Sequence, residues 1–260
     1  MNYSKETKLM VKAAKKASDI AMQYFGKPVP HKTKSSFFDW VTEADVKAEN
    51  EIISLLSEKF PDYGFIAEES GRKKGNEFNW IIDPIDGTNN FASGIPYFCH
   101  ALSLANGEEI IRAVVFDPTR KDLFVAEKGK GSFLNKKRIY VSKRSNLKEF
   151  TCVASLRAAL KKSESKRIGQ KEFVKLFDNI RSIRMFGSSE LDLSYLAAGR
   201  FEAFISHNAT PWDEGAGSLL VREAGGIASN EKGLPWNFEE KMFVASNGKK
   251  HREIMKILGL

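Results

Sequence analysis

The chain has few residues of the kinds that cross-link a fold or ligate soft metals. It carries two cysteines and four histidines in 260 residues. Cys99 and Cys152 have no His or Cys at ligand spacing, which argues against a disulfide framework and against a zinc site. Long hydrophobic runs are also lacking. Nothing approaches the ~20 apolar residues of a membrane span, and the charged start Met1-Asn-Tyr-Ser-Lys leads into no apolar signal region. These absences predict a soluble, cytoplasmic protein with no membrane partner. Glycine (19) and proline (8) are near ordinary usage, so collagen-like and low-complexity chains are excluded.

What remains is the composition of a globular protein, 42% hydrophobic and 11% aromatic. No internal repeat or long linker is present. The expected organisation is one domain over residues 1–260 with two lobes sharing a cleft, about 1–145 and about 146–260. The formal net charge is +8, but the basic residues are scattered in short clusters such as Lys136-Lys137-Arg138, without interleaved aromatics. They read as solvated surface lysines, with attraction of phosphorylated ligands or nucleic acid as the other reading.

Met10, Ala13, Ala14, Ala17, Ala21 and Tyr24 recur at helical spacing until Gly26 and Pro28 end the pattern. A second helix is expected from Thr42 to Phe60-Pro61, turning Val46, Ile53 and Leu56 inward. Strands follow at 63–67, 80–82, 100–104, 110–116 and 123–126, with 132–141 continuing the meander. From Cys152 the pattern alternates strand and helix. Asp213 to Ala224 is the clearest late helix, ended by Gly225-Gly226.

Four acidic motifs carry the chemistry, and each has a local alternative. In Trp80-Ile-Ile-Asp83-Pro84-Ile85-Asp86-Gly87-Thr88, Asp83 reads as an N-cap with Pro84 at N1 and Asp86 at N3. Equally, Asp83, the Ile85 carbonyl and Asp86 read as hard oxygen ligands for Mg²⁺, beside backbone N–H groups of Gly87 and Thr88 that suit a phosphate. Glu68 and Glu69 end a strand facing opposite ways, so one of them can enter a shared site. Thr42-Glu-Ala-Asp45 matches a capping box, and Asp213 follows Pro211-Trp212 at another helix start.

In combination and order, Thr42-Glu-Ala-Asp45, Ala67-Glu68-Glu69-Ser70, the Asp83 to Thr88 motif, Pro211-Trp212-Asp213 and Glu223-Ala-Gly-Gly226 resemble the inositol monophosphatase family. The resemblance implies an α/β (α+β) fold, the layered α/β/α/β/α sandwich of the inositol monophosphatase and fructose-1,6-bisphosphatase type. It implies two Mg²⁺ ions held by Glu68, Asp83, the Ile85 carbonyl, Asp86 and Asp213, with Glu68 the residue a third would use. Thr88, backed by Asp45, would orient an attacking water, which Glu68 would help to deprotonate. Asp86, Gly87, Thr88, Asp213 and the segment Gly187-Ser188-Ser189 would contact substrate, and Lys34 resembles a flap residue.

By the same resemblance the activity is lithium-sensitive hydrolysis of a small phosphate monoester, inositol-1-phosphate or a similar polyol phosphate, in a homodimer. Ser206 stands where inositol-specific members carry Glu, so 3′-phosphoadenosine 5′-phosphate and fructose 1,6-bisphosphate are alternative substrates. A basic RNA- or assembly-binding protein on a phosphatase scaffold is the alternative from another class. His207 reads as a surface or partner-facing residue.

Overall fold

The central strands are buried along most of their length, as in β-sheets covered by helices on both faces, and two large sheets accompany a small two-stranded one. The computed structural model describes residues 3–27, 31–33, 40–155 and 170–260. Lys34 lies outside the described residues. The first half runs α1 (Lys5–Ala21), β1 (His31–Thr33), β2 (Trp40–Thr42), α2 (Glu43–Lys59), β3 (Gly64–Ala67), β4 (Gly71–Lys73), β5 (Phe78–Asp86), α3 (Thr88–Ala92), β6 (Cys99–Asn106), β7 (Glu109–Asp117), β8 (Asp122–Glu127), β9 (Gly131–Leu134) and β10 (Lys137–Ile139). The second half runs β11 (Thr151–Ser155), α4 (Gln170–Asn179), β12 (Ser182–Arg184), α5 (Ser189–Ala197), β13 (Ala203–Ser206), α6 (Pro211–Glu223), β14 (Ile227–Ser229), β15 (Phe243–Ser246) and α7 (His251–Ile257).

Strands β3 to β10 form an eight-stranded sheet of order β10-β9-β8-β7-β6-β5-β3-β4, antiparallel except for the β3–β5 pair. Side chains alternate across it with the period of two that a pleated strand imposes. Trp80 and Ile82 of β5, with Leu102 and Leu104 of β6, pack against Met10, Ala13 and Ala17 of α1 and Ile52 of α2. Ile81, Ala101 and Ala105 face the opposite way, into a core shared with α5, α6 and β13. The five-stranded sheet, β12-β11-β13-β15-β14, closes that core with Phe204 and Phe243. Its outer face turns Cys152, Ile205 and Val244 toward Leu176 of α4 and Ile254 of α7. The layers are therefore α1/α2, the large sheet, α5/α6, the small sheet and α4/α7, the α/β/α/β/α order implied by the resemblance. No helix of the described residues is long and apolar enough to cross a membrane.

Three local expectations are corrected. Residues 132–141 form a hairpin, not one strand, with Leu134 opposite Lys137 and a turn at Asn135 and Lys136, whose φ values are 49° and 70°. That is the two-residue turn that suits right-twisted strands, reached here without the usual glycine. Val46 is exposed at 45% instead of facing inward, because the buried stripe of α2 runs through Ala44, Ala48, Ile52 and Leu56 and takes in the carboxylate of Glu49. That carboxylate accepts from the backbone N–H groups of Glu69 (2.9 Å) and Ser70 (2.7 Å). His207, expected at the surface, is buried at 7% exposure.

Candidate active site

The two aspartates of β5 are three residues apart, a spacing that in a regular strand would send them to opposite faces. The register corrects this. Asp83 pairs with Ala101 and Asp86 with Cys99, three steps on β5 against two on β6, so a bulge absorbs one residue. Both carboxylates thereby reach the α5/α6 side of the sheet, and Pro84 sits in the bulge, where a missing N–H is tolerated. The sequence reading of Asp83 as an N-cap does not hold, since the following helix starts at Thr88 with Gly87 as its cap. His100 Nδ1–H donates to the Pro84 carbonyl at 2.5 Å. Burial holds the His100 imidazole down at about 4, hence neutral at pH 7.

From the other side, α6 carries Asp213 in its first turn. Thr210 caps the helix, accepting from the Asp213 N–H at 3.2 Å and donating to Asp213 Oδ2 at 2.9 Å. One carboxylate oxygen from each of Asp83, Asp86 and Asp213 then lies within 4.8 Å of the others. Among the described residues Glu68 lies outside this group. It follows β3, half-buried, with its N–H donating to the Ile82 carbonyl at 3.2 Å. The Ile85 side chain packs with Phe91 and Phe98, while its carbonyl accepts from the Thr88 hydroxyl at 3.1 Å.

Asp86 is held by the start of α5. Ser188 Oγ donates to Oδ2 at 2.5 Å, the Glu190 N–H to Oδ2 at 2.8 Å and the Ser189 N–H to Oδ1 at 3.1 Å. Burial raises the Asp86 carboxyl above its ordinary value despite these donors. Ser188, expected to contact substrate, is thus buried with its hydroxyl turned to Asp86. Gly187 lies beside Gly87: a Cβ on Gly87 would meet the Gly187 carbonyl at 3.2 Å and that of Tyr97 at 3.1 Å, and its φ of +96° is one glycine adopts freely. Asn90 bridges the same two strands of chain, donating to the carbonyls of Tyr97 (2.8 Å) and Phe186 (2.7 Å).

Asp45 divides its two oxygens. Oδ2 closes the capping box on the Thr42 N–H (2.8 Å) and hydroxyl (2.5 Å), and Oδ1 accepts from Thr88 Oγ1 at 3.2 Å. Capping and a link to the site, alternatives in the sequence, coexist in one side chain.

Glu190 and Glu214 are fully buried carboxylates that the motif reading passed over, because each stands in an ordinary helical first turn. Burial pushes both well above their usual range, helped by the charge of Asp86 at Glu190 and of Asp213 at Glu214. The Ser206 hydroxyl partly offsets the rise at Glu214 by donating to it. The donor set is oxygen throughout, concentrated and poorly solvated, and it suits a hard divalent cation.

The model of the Inositol monophosphatase family matches residues 2–259. The chain is 37% identical over 255 residues to an inositol-1-monophosphatase of Caulobacter vibrioides, covering 96% of this chain and 99% of that one. It is 37% identical to a Nus factor SuhB of Xylella fastidiosa over 86% of this chain and 82% of that one. The crystal structure of the extragenic suppressor protein suhB of Bartonella henselae superposes with a TM-score of 0.90 at 33% identity, covering 98% of each chain.

Proposed function

The chain belongs to the inositol monophosphatase family, and from that premise we propose that it is a Mg²⁺-dependent phosphatase acting on a small phosphate monoester, a polyol phosphate such as inositol-1-phosphate. The observation that carries this reading is the convergence of Asp83, Asp86 and Asp213 oxygens within 4.8 Å. Three buried or half-buried carboxylates at that separation repel one another unless cations stand between them.

Asp83, Asp86, Asp213, the Ile85 carbonyl and Glu68 would hold the two magnesium ions. Bound magnesium would neutralise charge on the phosphoryl oxygens and acidify a water. The protein's own part is orientation. The single hydrogen of the Thr88 hydroxyl is directed at Asp45 and at the Ile85 carbonyl, which leaves the oxygen lone pairs to accept from a water and aim it. Gly87 and Thr88 offer backbone N–H groups with no side-chain cap on them. The Ser206 hydroxyl, engaged by Glu214, is a weaker handle for a polyol than a free carboxylate. A relaxed choice among small phosphate esters follows.

The test is phosphate release from a panel of inositol phosphates, glycerol phosphate, fructose bisphosphate and a nucleotide 3′-phosphate. Activity should require Mg²⁺, fall with excess Li⁺ or Ca²⁺, and drop by orders of magnitude in Asp83→Asn. Turnover that survives EDTA removes the reading. The panel also separates polyol phosphates from the nucleotide and bisphosphate alternatives.

A second reading, RNA or assembly binding, is favoured by the net charge of +8 and by the relative named as a Nus factor. Salt-sensitive RNA binding by an Asp83→Asn, Asp213→Asn double variant, with an inactive wild type, would support it. Homodimerisation, implied by the family resemblance, is checked by light scattering on the purified chain.

A further inference from the structure

One buried carboxylate joins the two halves of the acidic cluster without being needed as a ligand. Glu190 has no exposed surface and is the second residue of α5. Its backbone N–H donates to Asp86 Oδ2 at 2.8 Å. Its side chain reaches the other way, to α6, where Oε1 accepts from the Ala216 N–H at 2.8 Å and Oε2 from the Gly217 N–H at 2.5 Å. A single residue therefore holds Asp86 with its main chain and grips, with its side chain, the turn just after Asp213. The N–H groups of residues 216 and 217 are those a regular helix directs to the carbonyls of 212 and 213.

The surroundings admit this grip specifically. Added at Gly217, a Cβ would stand 2.9 Å from Glu190 Oε2 and would meet the Leu193 side chain, so glycine leaves the room the carboxylate occupies. The Ser194 hydroxyl donates to the Glu190 carbonyl at 2.7 Å, which steadies the backbone that faces Asp86. Packing alone gives no reason for a carboxylate here. An apolar side chain would fill the same space without desolvating a charge beside Asp86 and Glu214.

We infer that Glu190 is a positioning residue that sets the separation of the Asp86 and Asp213 carboxylates, so that their oxygens are already spaced for a divalent cation. Its side chain is outside the group of converging Asp83, Asp86 and Asp213 oxygens and is turned to the N–H groups of α6, which distinguishes it from the ligands it positions. The inference rests on the metal-dependent reading above.

The experiment is calorimetric titration of Mg²⁺ into the wild type, Glu190→Ala, Glu190→Gln and Leu196→Ala. Leu196 is buried at the far end of α5 and reports general destabilisation. Glu190→Ala should weaken Mg²⁺ binding on the order of 10- to 100-fold, the usual effect of removing a group that orients metal ligands. Glu190→Gln should weaken it less, because the amide oxygen still accepts one of the two N–H groups. Leu196→Ala should lower the melting temperature and keep wild-type affinity. Wild-type affinity in folded Glu190→Ala overturns the inference, whereas a wild type that binds no Mg²⁺ overturns the metal-dependent reading instead. Should Glu190→Ala fail to fold, amide hydrogen exchange on the wild type decides. Mg²⁺ should slow exchange at 188–190 and at 216–217 together, and slowing of one segment without the other overturns the coupling.

Discussion

The hydroxyl of Thr88 donates to Asp45 Oδ1 at 3.2 Å, from the start of α3 to the first turn of α2, 43 positions apart in the chain. The other oxygen of Asp45 is committed to Thr42. The carboxylate that caps one helix therefore also fixes the rotor of a hydroxyl beside the acidic cluster, and changes at the two ends of this bond should have different consequences.

Thr88→Val keeps the shape and removes only the hydroxyl. It should lower turnover about 10²- to 10³-fold, the scale of losing one group that orients a reacting water, with a melting temperature near that of the wild type. Asp45→Ala should lower turnover as well, and in addition destabilise the fold by about 1–3 kcal/mol, because the Thr42 N–H is left buried without its acceptor. Steady-state kinetics beside thermal melts separate the two outcomes. Equal stability losses in both variants would contradict the division of labour.

Glu127 links stability to acid. It is 2% exposed and accepts from the Ser4 N–H (2.8 Å), the Thr7 hydroxyl (2.7 Å) and Lys130 Nζ (2.6 Å), which ties the start of α1 to the end of β8. Burial alone would raise its pKa, but the Lys130, Ser4 and Thr7 donors outweigh burial and bring it from 4.5 to about 2. A lowered carboxylate stabilises the fold fully above its unfolded value and loses that contribution as pH falls through the folded one. The window here is from about pH 4.5 down to about 2. Since Lys130 is largely in solvent, the effect is on the order of 2 kcal/mol. Denaturant melts of Glu127→Gln should show lower stability than the wild type at pH 7, and the difference should shrink across that window.

Cys99 and Cys152 are both free and buried. Burial raises the Cys99 thiol well above its ordinary value, with the Asp86 charge adding to it, and raises Cys152 to about 12. A thiol reagent such as DTNB at pH 8 should therefore find no reactive cysteine in the native protein and two after denaturation. Rapid labelling of the folded chain would show that one of these sites opens.

Gly217→Ala tests the tight approach of α5 and α6. The new methyl meets Leu193 as well as Glu190, so the expected loss is about 1–3 kcal/mol, despite alanine's better helix propensity. A stabilised variant would mean that the two helices separate more easily than their packing implies.

Much of the architecture was legible in the sequence where burial follows a simple period. Trp80, Ile81 and Ile82 alternate between the two sides of the large sheet as their order requires, and Ala13, Ala14 and Ala17 mark the buried side of α1 through helical spacing. The acidic motifs were legible as a set, in order along the chain. Glu49, Glu190 and Glu214 were not, because a buried carboxylate and a solvated one look alike in a helical pattern.

The sequence by itself determined the long helices α1, α2 and α6, the main strands of the large sheet and which oxygen-bearing residues are available, since these depend on local periodicity and residue chemistry. Only the tertiary structure decided how those residues are used. The bulge that turns Asp83 and Asp86 to one face is defined by pairing with β6, a strand formed by later residues. The meeting of Asp86, Glu190 and Asp213 depends on α5 and α6 docking beneath the sheet. These are contacts between distant parts of the chain, and no local pattern encodes a distance between them.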